Sequence, residues 1–93
     1  MRAVFNGKVI AESDDVVEYE TKAYFPPESL NKAYFQESDH TTYCTYKGDA
    51  RYFHVKVDGQ TAENAGWYYP EPKDAAKHVS GYVSFWNGVN VEK

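Results

Sequence analysis

The chain's only cysteine lies three residues before a lysine and four before a glycine. Cys44, Lys47 and Gly48 therefore place a thiol, a cation and a flexible backbone in one short segment. A thiol becomes a nucleophile or redox group where a nearby positive charge favours the thiolate. A lysine beside a glycine turn suits an anion, which the ammonium and backbone N–H groups bind together. A buried, inert thiol and an ordinary turn lysine are the alternatives to these two interpretations.

Two other parts of the chain supply aromatic and acidic residues that would complete a pocket. Tyr24 and Glu28 bracket a Pro-Pro pair, and Trp67 and Tyr69 belong to an aromatic run that ends at a proline. Phenol and indole rings give apolar walls with a polar tip, which suits a small-molecule site. For Trp67 the alternative is core packing, and for Glu28 it is a surface charge. The predicted ligand-binding residues are Tyr24, Glu28, Cys44, Lys47, Gly48, Trp67 and Tyr69.

The three histidines are scattered and add no second reactive group. His40 and Cys44 would share one face of an extended strand, but four residues of strand separate them by about 13 Å. His54 alternates with residues of a solvent-facing strand surface, and His78 lies near a helix end, where it favours the helix dipole. One cysteine and three separated histidines predict no structural zinc, and we expect no cofactor.

Length and composition restrict the class of protein. The 93 residues predict a single domain, 1–93, with one modest core. A net charge of −4 with scattered basic residues argues against nucleic-acid binding. The chain shows no basic-then-apolar leader and no long apolar run, so we expect a cytoplasmic protein that does not cross a membrane. One cysteine excludes an internal disulfide, in keeping with a reducing compartment.

Three turn dipeptides predict a mainly β, antiparallel fold. They are Asn6-Gly7, Asp58-Gly59 and Asn87-Gly88, each flanked by apolar residues, and each is typical of a two-residue β-hairpin turn. The predicted pairs are Phe5 with Lys8, Val4 with Val9, Ala3 with Ile10, Val57 with Gln60, Val55 with Ala62, Trp86 with Val89, and Phe85 with Asn90.

Two proline-led segments predict short helices that cover the sheet. The first is Pro26–Phe35, in which Leu30, Ala33 and Tyr34 form a narrow apolar stripe. The second is Pro72–Val79, which begins with Asp74 and ends near Lys77 and His78, as the helix dipole favours. Neither helix is long enough to be stable alone, so both must pack on strands.

Four segments together carry a family resemblance over essentially the whole chain. They are Tyr24–Leu30, Thr42–Ala50, Ala65–Pro72 and Val83–Trp86, in that order. Their order and content resemble the domain-of-unknown-function family 427, sometimes labelled nucleotidyltransferase-like. The resemblance implies a compact, barrel-like antiparallel fold of the β-tent type, the architecture also used by yippee-type zinc proteins.

Neither zinc binding nor nucleotidyl transfer carries over to this chain. The yippee-type proteins hold zinc through paired Cys-x-x-Cys knuckles, and this chain has a single cysteine. It also lacks a Gly-Ser followed by an Asp-x-Asp pair, and a glycine-rich phosphate loop. The Asp14-Asp15 pair is most simply a solvated turn.

Two classes of function remain open. In the first, the chain binds a small anionic or nucleotide-like ligand at the Cys44–Gly48 turn, with or without catalysis. In the second, exposed aromatic residues form a protein-interaction or self-association surface, and a homo-oligomer is compatible with it. A closed pocket that reaches Lys47 favours the first class, and a flat aromatic patch favours the second.

Overall fold

Nine β-strands form three antiparallel sheets in the computed structural model, which describes residues 1–93. The strands are β1 Arg2–Phe5, β2 Lys8–Glu12, β3 Val17–Tyr19, β4 Lys22–Tyr24, β5 Phe35–Cys44, β6 Gly48–Val57, β7 Gln60–Tyr68, β8 Ser84–Phe85 and β9 Asn90–Glu92. A sheet of four strands has the order β5-β6-β7-β8, a sheet of three has the order β2-β1-β9, and β3 pairs only with β4. The sheets stay open, and the predicted mainly β fold is confirmed.

Two clusters of buried side chains hold the sheets together. The larger lies between the three-stranded and four-stranded sheets, and its fully buried members include Ile10, Phe25 and Val55. The smaller cluster consists of Tyr24, Ala50, Tyr69, Ala76 and Val79, and it joins β4, β6 and the segment after β7. Burial of these apolar side chains is the main favourable contribution to folding.

The first two predicted hairpins are confirmed. Phe5 pairs with Lys8 and Val4 with Val9 around Asn6-Gly7, and both predicted pairs around Asp58-Gly59 are present. All four turn residues have positive φ, as a type I′ turn requires. One predicted pair is wrong, because a bulge between Ala3 and Val4 shifts the register and Ala3 faces Ala11 instead of Ile10.

The third turn forms, but the predicted hairpin beyond it is wrong. Asn87 and Gly88 have positive φ, and the Val89 N–H donates to the Trp86 carbonyl at 3.2 Å. The predicted pairing of Phe85 with Asn90 is absent, since β8 pairs with β7 and β9 pairs with β1. The Phe85 ring packs on Phe25 at 5.5 Å between centroids, so core burial directs the two strands into different sheets.

The helical segments are short 3-10 turns. The single helix predicted over Pro26–Phe35 is wrong: Pro27–Ser29 and Lys32–Tyr34 are separate 3-10 turns, and Phe35 already belongs to β5. Leu30 between them is extended and bridges to Ala11, which interrupts the helix. The second segment is helical over Asp74–Val79, also as a 3-10 helix.

The hairpin β3–β4 was not predicted from the sequence. Tyr19 pairs with Lys22 across a turn made by Glu20 and Thr21, whose φ angles are +49° and +68°. Neither residue is a usual choice for the left-handed region, and a β-branched threonine is an outlier there.

No helix of the structure is long and apolar enough to cross a membrane.

Candidate functional site

A cavity of about 320 Å³ opens where the β3–β4 hairpin faces the four-stranded sheet. We name it the aromatic cavity, because five of its eight lining residues are tyrosines or tryptophans. The lining residues are Glu20, Lys22, Tyr24, Lys47, Tyr52, Trp67, Tyr69 and Trp86. Both tryptophans of the chain are among them.

Strand pairing places the aromatic walls. Tyr52 on β6 and Trp67 on β7 are direct cross-strand partners, so their side chains lie on the same face of the sheet. Tyr24, the last residue of β4, meets Trp67 edge to face, with ring centroids 6.5 Å apart and planes at 85°. This geometry is favourable for aromatic pairs.

Lys47 supplies a nearly buried positive charge at the cavity wall. Its side chain is only 15% exposed, and its Nζ lies 2.5 Å from Oε1 of Glu20 and 5.1 Å from the centroid of the Tyr19 ring. Burial acts to lower the pKa of Lys47, but the hydrogen bond to Glu20 and the nearby Tyr24 phenol outweigh it and raise the pKa above its usual value. The ammonium is therefore protonated at neutral pH and serves as a fixed cation.

The turn that carries Lys47 is fastened to the segment before the Asp74–Val79 helix. The Lys73 N–H donates to the Lys47 carbonyl at 2.9 Å. The Lys73 ammonium donates to the Tyr43 hydroxyl at 2.5 Å and to the Thr45 carbonyl at 3.1 Å. Gly48 has φ +105°, and a Cβ at this position would lie 3.5 Å from the Glu71 carbonyl. That distance is an ordinary contact, so the positive φ and not a lack of space is what favours glycine at this position.

Tyr24 carries the one buried side-chain polar atom that lacks a hydrogen-bond partner. The residue is 0% exposed. Burial raises the pKa of Tyr24, although the Lys47 ammonium partly lowers it, and burial likewise raises the pKa of Tyr69. Both phenols therefore stay protonated at neutral pH. Lys47 and Trp67, which both act to lower the pKa of Tyr24, line the cavity. Each offers only N–H donors and cannot accept the phenol proton, so the unused donor lies at this candidate site.

A larger cavity, of about 560 Å³, lies between the β3–β4 hairpin and β9. Much of its lining is exposed charge, including Glu18, Glu92 and Lys93. It contains no buried polar atom without a partner. Size alone does not make a specific site, and the smaller aromatic cavity has the convergent polar groups that a binding site needs.

The family model described as Domain of unknown function (DUF427) matches residues 1–93. The chain belongs to the DUF427 family. A comparison with curated proteins gave no match. The family assignment agrees with the resemblance that the four ordered segments carry.

The DUF427 fold brings four of the seven predicted ligand-binding residues together. Tyr24, Lys47, Trp67 and Tyr69 all line the aromatic cavity.

Glu28, Cys44 and Gly48 do not line it. Glu28 is exposed in the first 3-10 turn. Cys44 is the last residue of β5 and pairs with Gly48, whose backbone packs against residues 71–73. The turn's contribution to the cavity is therefore the Lys47 side chain.

Sequence reasoning missed the other half of the lining, namely Glu20, Lys22, Tyr52 and Trp86. Tyr52 alternates with Phe53 on β6, and its face was interpreted as solvated, although the β3–β4 hairpin covers it. Trp86 follows β8, and its indole N–H donates to the Asn64 carbonyl at 2.6 Å. The aromatic content of 17% was the available signal for Tyr52 and Trp86, and no local pattern indicated Glu20 or Lys22.

The histidines and acidic residues of the DUF427 chain form no metal centre. No group of three or more histidine, cysteine or carboxylate side chains is placed to hold a metal ion. His40 packs on Tyr52, and His78 packs on Tyr19, each with ring centroids 4.6 Å apart. His54 accepts a hydrogen bond at Nδ1 from the Asn64 N–H, at 3.1 Å.

Proposed function

We propose that this domain binds a small ligand with a planar ring and an anionic group, and that the aromatic cavity is the site. The observation that carries the proposal is the unpartnered hydroxyl of Tyr24, fully buried beside the Lys47 ammonium. A buried donor without an acceptor costs free energy in the empty protein. A ligand oxygen that accepts from Tyr24 and lies near Lys47 would recover that cost.

The walls of the cavity suit a planar ring. Tyr52 and Trp67 present adjacent rings, and Trp86 lies at the rim with half of its surface exposed. Stacking and edge contacts with such rings favour an aromatic ligand over a branched aliphatic one. The volume of about 320 Å³ is at the lower end of the range for small-molecule sites, so the ligand is small.

The charges of the cavity favour an anion. Lys22 and Lys47 contribute two positive charges and Glu20 one negative charge, which leaves a net charge of +1 at the lining. The Lys22 side chain is exposed, and its ammonium lies 6.0 Å from the centroid of the Trp67 ring. Protonated Lys47 and neutral Tyr24 are donors, not bases, so the lining suits binding better than proton abstraction.

The alternative function, a protein-interaction or self-association surface, depends on Tyr46 and Trp86, which are 75% and 51% exposed. Trp86 also belongs to the cavity lining, and its ring nitrogen is already bonded. Thermal-shift measurements with small anions separate the two functions, because a protein-interaction surface gives no response to small anions.

Thermal-shift measurements with aromatic carboxylates, nucleoside monophosphates and inorganic phosphate test the proposal. Aromatic anions should raise the melting temperature of the wild-type protein, and added salt should weaken the effect. Lys47→Met should abolish the shift, whereas Lys56→Met, which removes an exposed lysine outside the cavity, should retain it. If no anion shifts the wild-type protein, or if Lys47→Met responds like the wild type, the ligand-binding function is wrong.

A further inference from the structure

We infer that the Glu20 carboxylate occupies the place of the ligand's own carboxylate, and that the ligand is a monocyclic aromatic carboxylic acid. Glu20 is then a built-in competitor that must leave Lys47 before the acid binds. This inference rests on the proposed function and specifies both the chemical class of the ligand and the residue that opposes it.

The contact between Glu20 and Lys47 is asymmetric. The Lys47 side chain is 15% exposed, whereas that of Glu20 is 56% exposed. The lysine is thus part of the wall, held by a turn that Lys73 fastens, and the glutamate reaches over it from solvent. A carboxylate that enters the cavity can take the same place at the ammonium, while Glu20 returns to water with little loss of solvation.

The turn that holds Glu20 is built to move at low cost. Glu20 and Thr21 both lie in the left-handed region, and the threonine is strained there because it is β-branched. The hairpin's strands have three residues each and pair only with one another. Both turn residues are exposed, whereas Tyr24 at the end of β4 is buried and Phe25 bridges to Val83, so the turn can shift at its tip while the base of the hairpin stays anchored.

A carboxylate fits the site better than a phosphate ester. Glu20 already shows that a carboxylate oxygen reaches Nζ of Lys47 at 2.5 Å. The second oxygen of a planar carboxylate would be free to accept from the Tyr24 hydroxyl, which has no partner. Of the two lysines that line the cavity, Lys22 is exposed and only Lys47 is held in the wall. One nearly buried ammonium matches one negative charge, and the small volume leaves room for one ring.

Tryptophan fluorescence titrations with benzoate and benzamide test the inference, because both tryptophans line the cavity. The proteins are the wild type, Glu20→Gln and Glu18→Gln. Glu18 is an exposed glutamate of the same hairpin, but it does not line the aromatic cavity. Glu18→Gln therefore changes the net charge of the protein as Glu20→Gln does, without changing the cavity. We expect Glu20→Gln to bind benzoate roughly fivefold more tightly than the wild type. Its affinity for benzamide, and both affinities of Glu18→Gln, should equal those of the wild type.

Any other result would contradict the role of Glu20, the carboxylate class of the ligand, or ligand binding itself. Unchanged benzoate affinity in Glu20→Gln would show that Glu20 does not compete. Weaker benzoate binding would make Glu20 a ligand contact instead. Tighter binding of phenyl phosphate than of benzoate by Glu20→Gln would reject the carboxylate class. If neither benzoate nor benzamide quenches any of the three proteins, the proposed function fails together with the inference.

Discussion

The proposed binding site depends on two single residues, Tyr24 and Lys47. Tyr24 is fully buried with an unsatisfied hydroxyl, and Lys47 is nearly buried with its charge intact. The hydroxyl is costly because nothing accepts its proton, whereas the ammonium is compensated by the Glu20 carboxylate. The two residues come from distant parts of the chain, and only the fold makes them neighbours.

Replacement of Tyr24 by phenylalanine should stabilise the ligand-free protein. The change removes a buried donor that has no acceptor and leaves the ring packing intact, so the free energy of unfolding should rise by about 1 kcal/mol. Urea denaturation measures this change. Tyr52→Phe is the control: the Tyr52 hydroxyl lies 3.0 Å from Thr42 Oγ1, so its removal should lower the free energy of unfolding by roughly 0.5 kcal/mol. A loss of stability in Tyr24→Phe would mean that its hydroxyl is bonded after all.

The stability of the protein should fall in alkaline solution. Burial raises the pKa values of Tyr24, Tyr68 and Tyr69 above the ordinary 10.0, and the pKa of Lys47 is raised above 10.5. The folded state therefore holds these protons more tightly than the unfolded chain. Their contribution to stability is complete below the unfolded values and is lost as the pH rises from there through the folded values.

Urea denaturation between about pH 8 and about pH 11 measures this loss. Tyrosine absorbance provides an independent check, because three of the nine tyrosines should ionise later than the others. A free energy of unfolding that stays constant or increases over this range would contradict the assignment of the buried phenols.

At the scale of secondary-structure elements, the residues in each turn determine whether its hairpin can be predicted from the sequence. Asn6-Gly7 and Asp58-Gly59 have the residues that tolerate positive φ, and both hairpins were predictable for that reason. Glu20-Thr21 adopts the same conformation without the residues that signal it. The hairpin that covers the site therefore could not be predicted from its turn.

The strain in the Glu20-Thr21 turn should be measurable by substitution. Thr21→Gly removes the steric cost of a β-branched residue at φ +68°, and we expect a rise in the free energy of unfolding of about 0.5–1 kcal/mol after the entropy of the added glycine is subtracted. Gly7→Ala is the opposite control: Gly7 has φ +76° with open space around it, so the change should destabilise by about 1 kcal/mol. If Thr21→Gly destabilises as well, the turn is not strained.

The assembly of the three sheets creates the cavity at the scale of the whole molecule. Tyr24, Lys47, Trp67 and Tyr69 were candidates from their residue types and from the family resemblance, and the structure gathers them. The remaining lining residues required the position of the β3–β4 hairpin over the four-stranded sheet, which no local pattern encodes. The wrong pairing after Asn87-Gly88 has the same origin, because long-range burial of Phe85 selects the partner strands.

Ligand binding in the aromatic cavity is measured most directly by a nuclear magnetic resonance titration that follows the two tryptophan indole N–H signals. The signals are assigned with Trp67→Phe and Trp86→Phe. Both rings line the aromatic cavity, so the account predicts that benzoate shifts both signals in the wild-type protein. In Lys47→Met the shifts should disappear, and in Lys56→Met they should remain. Indole signals that stay in place while benzoate shifts residues elsewhere, or equal shifts in Lys47→Met and the wild type, would contradict the assignment of this cavity as the binding site.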